Sequence, residues 1–105
     1  MKINILGAEY DFEVTTETKE ERLYLCNGYC DGYEKQIAIE SIYDERGTKN
    51  VNELVKRVKR HEIIHAFLFE SGLLTLAENE QIVDWISWQF PMMLKAFKSV
   101  NAIDE

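Results

Sequence analysis

The hydrophobic period changes once along this chain, and that change limits what the chain can fold into. Before it, Ile3 and Ile5, then Tyr10, Phe12 and Val14, alternate with polar neighbours, the period of a strand with one face on a core. From Val51 onward, Val51, Leu54, Val55, Val58, Leu68 and Phe69 recur three and four residues apart, the stripe of an amphipathic helix. A chain of 105 residues has room for one core. The strands of the first half must therefore cover the helices of the second. This predicts a single α+β domain over residues 1–105, with a small antiparallel or mixed sheet packed against one long helix and a C-terminal helix.

Turn signals divide the two halves further. Gly7-Ala8-Glu9 separates the first two apolar runs as a hairpin, and Asn27-Gly28 and Asp31-Gly32 are turn dipeptides that short strands should flank, beginning with Leu23-Tyr24-Leu25-Cys26. Gln36 to Ile42 reads as a strand with one face on the core, and Asp44 to Asn50 as the loop leaving the sheet. The first helix should end at Gly72, and Thr75 or Asn79 should cap a second with apolar Ile82, Val83, Ile86 and Phe90. Trp85 and Trp88, with Phe90, are expected to pack this helix on the sheet. Pro91 should kink or end it, Met92 to Val100 should continue as a last helical segment, and Asn101 to Glu105 should fray.

Twelve Lys and Arg against 19 Asp and Glu leave a net charge of −7, which repels phosphate backbones and anionic lipid. Neither nucleic acid nor a membrane is the expected partner. The first residues contain too short an apolar run for a secretory signal, so the expected location is cytoplasmic. In such a compartment Cys26 and Cys30 are expected as thiols, and with no second Cys or His pair outside the motif below they are too few for a structural zinc site of their own.

The chemistry sits in His61-Glu62-Ile63-Ile64-His65, an H-E-x-x-H sequence within the first helix. Residues four apart differ by about 40° in azimuth and about 6 Å in height, so both imidazoles can point at one ion beside the helix. Glu62 is too displaced to chelate with them, but it can take a proton from a metal-activated water. The chain has two histidines, both here. They continue the stripe through Leu54, Val58 and Leu68, which turns them inward, where imidazoles need partners.

A catalytic zinc needs a third protein ligand, and no histidine remains to supply it. Glu78, Glu80 and Asp84 lie near the start of the second helix, which the turn at Gly72 folds back on the first. Glu80 is the choice. Asp84 and Ser87 follow it as a polar strip, and Asp84 suits the second ring nitrogen of a ligand histidine. Glu78 reads as a solvated acid.

His61-Glu62-Ile63-Ile64-His65-Ala66, then Gly72, then Asn79-Glu80-Gln81-Ile82-Val83-Asp84, resembles the minimal gluzincin metallopeptidases of phage and prophage regions, related to the ImmA/IrrE-like group. Leu68 and Ser71 stand where the extended metzincin pattern needs Gly and His. Upstream, Gly28-Tyr29-Cys30-Asp31 and Gln36-Ile37-Ala38-Ile39 are similar to the hairpin and edge strand that precede the motif helix in such proteins. The resemblance implies zinc bound by His61, His65 and Glu80, Glu62 as the base, and a peptide substrate extended along the edge strand. The chain lacks a further histidine to stabilise an oxyanion; Tyr29 and Tyr33 are the nearest tyrosines for that role, and both read first as strand residues.

The expected function is therefore zinc-dependent hydrolysis of peptide bonds in a protein or peptide substrate, by a zinc-activated water with Glu62 as general base. The competing expectation is a non-catalytic, zinc-stabilised phage or prophage module that binds a protein partner through its sheet edge.

Overall fold

The structure, a computed structural model, describes residues 1–41 and 51–104. It is an α+β fold in the order β1 (Lys2–Ile5), β2 (Ala8–Thr15), β3 (Gly28–Asp31), β4 (Gln36–Glu40), α1 (Val51–Glu70), α2 (Leu74–Ala77) and α3 (Glu80–Ser99). The four strands form one mixed sheet in the spatial order β1-β2-β4-β3. β1 and β2 are an antiparallel hairpin, β4 runs parallel to β2, and β3 is antiparallel to β4.

The hairpin turn lies one residue earlier than the Gly7-Ala8-Glu9 spacing predicts. Leu6 and Gly7 both take positive φ, 52° and 91°, and Ile5 pairs with Ala8. Two positive φ values match the twist of the flanking strands, and Gly7 adopts one of them without steric cost. Ile42 and the loop expected over Asp44 to Asn50 lie outside the described residues.

β4 is more enclosed than its alternating pattern implies. Ile37, Ala38 and Ile39 are all buried. α1 packs on the sheet, and a 3-10 turn at Glu21–Leu23 packs on β3 and β4, with Leu23 buried. The segment Leu23 to Cys26, expected as a strand, is thus a turn over the sheet that leaves Tyr24 and Leu25 exposed. β4 is also internal, so the edge beside α1 is β3.

The core joins Ile5, Tyr10, Ile37 and Ile39 of the sheet to Val58 and Ala66 of α1. At its margin, Glu70 Oε2 accepts hydrogen bonds of 2.6 Å from the buried Tyr10 hydroxyl and from Lys35 Nζ. Lys35, then Tyr10, hold the Glu70 carboxyl below its usual range. Glu70→Ala is expected to cost about 1–3 kcal/mol in urea unfolding at pH 7, because it leaves the Tyr10 hydroxyl unpaired. A carboxyl depressed in the folded state stabilises above its unfolded pKa, so the difference from wild type should shrink as pH falls below about 4.

α1 ends as the glycine predicts. Gly72 has φ 79°, and the Leu73 amide donates to the Leu68 carbonyl, closing the helix with a left-handed residue. The short α2 follows. α3 begins at Glu80 with Asn79 as its cap, whose side chain accepts from the Ile82 amide at 3.1 Å.

Pro91 does not end α3, which runs through it to Ser99 as one helix instead of two segments. Nor does α3 seat its aromatics on the sheet. It packs on α1 and α2, with Val83 and Ser87 buried, while Trp85 and Trp88 are 56% and 55% exposed and Phe90 is also exposed. α1 already covers the sheet, so the stripe of α3 meets a helix. Ser87 is part of that joint: its hydroxyl donates to the Asp84 carbonyl at 2.8 Å, and its own carbonyl accepts from Arg60 Nε at 2.7 Å.

Candidate metal centre

α1 places His61 and His65 one turn apart on the side facing α2 and α3, with side chains only 17% and 13% exposed. Their Nε2 atoms are 3.2 Å apart. The first residue of α3 completes the group. Glu80 Oε2 is 2.8 Å from His61 Nε2, and Glu80 Oε1 is 2.9 Å from His65 Nε2. His61, His65 and Glu80 thus form a candidate metal-binding triad.

The second ring nitrogens are also engaged. His65 Nδ1 lies 2.5 Å from the Ala77 carbonyl at the end of α2. A carbonyl oxygen can only accept, so Nδ1 is the nitrogen that carries hydrogen. In a neutral ring, His65 Nε2 then presents a lone pair, aimed at the Glu80 carboxylate and at His61. His65 Nε2, His61 Nε2 and the Glu80 carboxylate thus converge where a shared proton or a cation would offset their repulsion. On the other histidine, Asp84 Oδ1 is 3.5 Å from His61 Nδ1, the position expected of an orienting acid. Glu78 is exposed and caps α2 outside the triad.

Glu62 lies on the side of α1 that faces Gly28 of β3, borders the same groove as His61, His65 and Glu80, and is 8% exposed. Burial pushes its carboxyl up to about 7; the His61 charge opposes that rise, and the Glu80 charge adds to it. Gly28 of β3 covers it closely. A Cβ at position 28 would stand 3.1 Å from Glu62 Cγ and 3.0 Å from Val58 Cγ1. A side chain there would need its neighbours to give by a few tenths of an ångström, so glycine suits the close approach of strand and helix.

A groove runs between β3 on one side and α1, α2 and α3 on the other. Its middle is lined by Gly28, Tyr29, Glu62, His65 and Glu80. Tyr29 reaches this groove, but its hydroxyl accepts from Arg22 Nη2 at 2.9 Å. Burial and the acid Glu20 push Tyr29 up to about 12. Tyr33 is exposed and lies edge-on to Phe69. Cys26 and Cys30 are free thiols, and burial pushes Cys30 up to about 12, which keeps its sulfur protonated.

The Ala77 carbonyl, Gly28 and Arg57 are the site elements that residue types did not reveal. The first two act through backbone; Arg57 lines the groove beside His61 with its guanidinium 4.2 Å from the Trp88 ring. No helix among the described residues is long and apolar enough to cross a membrane. No family model, curated protein or solved structure matches the chain.

Proposed function

We propose that this chain is a zinc-dependent peptidase of the gluzincin type. The observation that carries the reading is the convergence of two histidine Nε2 atoms and one carboxylate on a single point. Two nitrogens bound to zinc at about 2.0–2.1 Å in a tetrahedral shell stand about 3.3 Å apart. The pair here is 3.2 Å apart, and two nitrogens with one carboxylate oxygen are a donor set that zinc takes in open catalytic sites. Zinc held there would supply Lewis acidity, bringing the pKa of water to about 7 and polarising a peptide carbonyl.

The chain's own residues then have separate tasks. His61, His65 and Glu80 hold the ion, while Asp84 and the Ala77 carbonyl orient the two rings. Glu62, raised to about 7, is matched to accept a proton from water of similar pKa and to return it to the leaving amine. Among the described residues β3 pairs on one side only, and its other edge lies next to the groove, where an extended peptide can add main-chain hydrogen bonds.

The test is cleavage of casein by the zinc-loaded chain, lost on chelation. A folded, zinc-loaded chain that leaves casein and a random peptide library intact would favour the non-catalytic zinc module.

A further inference from the structure

The groove is not symmetric about the triad. On the His61 side it narrows to a cavity of about 250 Å³ with a polar lining that includes Asn27, Arg57 and Asp84. On the His65 side it widens to about 620 Å³, and the wall there includes Tyr29, Tyr33, Phe69, Leu74 and Ala77.

The wider wall is held in place by its neighbours. Gly32 is buried, and a Cβ there would lie 2.4 to 2.6 Å from atoms of the Phe69 ring, so the ring occupies the space a side chain would need. Tyr33 meets the same ring edge-on, with centroids 5.1 Å apart. α2 contributes Leu74, which is about half exposed, and Ala77, whose small side chain borders both this cavity and the middle of the groove. The charged residues on this wall leave little to select a charged occupant. Arg22 is already paired with Asp31 at 3.1 Å and Glu34 at 3.3 Å, while the exposed Glu78 at the rim repels an acid.

Resting on the peptidase reading, we propose that this cavity is the specificity pocket of the site. It takes a bulky apolar side chain, such as phenylalanine or leucine, from a residue next to the bond that is cut. Two things fix the occupant: the pocket is continuous with the triad through His65, which lines both regions, and the larger part of its wall is apolar, from Tyr29, Tyr33, Phe69, Leu74 and Ala77. Leu74, Tyr33 and Phe69 are then specificity-determining residues.

Amino-acid hydroxamates test this on the zinc-loaded full chain, since the hydroxamate engages the ion while the side chain reports the pocket. Phenylalanine hydroxamate is expected to bind about 10- to 100-fold more tightly than glycine hydroxamate, and glutamate hydroxamate no more tightly than glycine hydroxamate. Leu74→Asp and Tyr33→Ala, both at exposed positions, should each reduce the phenylalanine-to-glycine ratio by about threefold or more. Equal binding of the phenylalanine and glycine compounds to wild type, or a ratio unmoved in both variants, overturns the pocket. Failure of every hydroxamate, including acetohydroxamate, to bind the zinc-loaded chain overturns the peptidase reading beneath it.

Discussion

Replacing Glu80 with alanine is expected to weaken zinc binding at least about 1,000-fold in a chelator competition at pH 7.5. Both of its oxygens sit within 2.9 Å of an imidazole nitrogen, so alanine leaves two histidines and no anionic donor. Neighbouring acids give the contrast. Asp84→Ala removes a group 3.5 Å from His61 Nδ1 and should cost about 10- to 100-fold, the range of groups that orient a ligand. Glu78 is exposed and outside the triad, so Glu78→Ala should stay within about threefold. A larger loss for Glu78 or Asp84 than for Glu80 would reassign the third ligand.

Glu62→Gln is expected to retain zinc and lower kcat by about 10²- to 10⁴-fold, since the amide cannot accept the proton. It carries a second signature that needs no substrate. A carboxyl raised from its ordinary 4.5 to about 7 binds its proton more tightly in the folded chain. Folding is therefore favoured at low pH and penalised as pH rises from about 4.5 toward 7. The neutral glutamine removes that penalty. Metal-free Glu62→Gln should accordingly be more stable than metal-free wild type by roughly 3 kcal/mol at pH 7, with the gap closing toward pH 4. An unchanged stability difference across that range would mean that Glu62 is solvated as an ordinary surface acid, and an unchanged kcat would remove it as the base.

The triad was legible because its members obey helical geometry alone. A separation of four residues puts His61 and His65 over one another, and the Asn79 cap sets the start of α3 so that Glu80 is its first residue. The misread segments share a different cause. Leu23 to Cys26 carries strand-forming residues, but tertiary packing bends it into a turn that covers β4. Trp85 and Trp88 sit on a helix whose apolar stripe meets α1 and not the sheet, because α1 already covers the sheet. Pro91 forfeits a hydrogen bond within α3, yet that helix runs on to Ser99, with Met93 and Leu94 half-buried just beyond the proline. The Ala77 carbonyl and the close approach at Gly28 are backbone effects, and spacing in a sequence does not report which main-chain atom meets which ring.

X-ray absorption at the zinc edge, on the full chain with one equivalent of zinc, tests the central claim most directly. The account predicts a first shell of nitrogen and oxygen at about 2.0–2.1 Å, with outer-shell scattering from two imidazoles that drops to one in His65→Ala. A first shell containing sulfur at about 2.3 Å would move the ion to Cys26 and Cys30, and a spectrum of hexa-aqua zinc would mean that His61, His65 and Glu80 hold no metal.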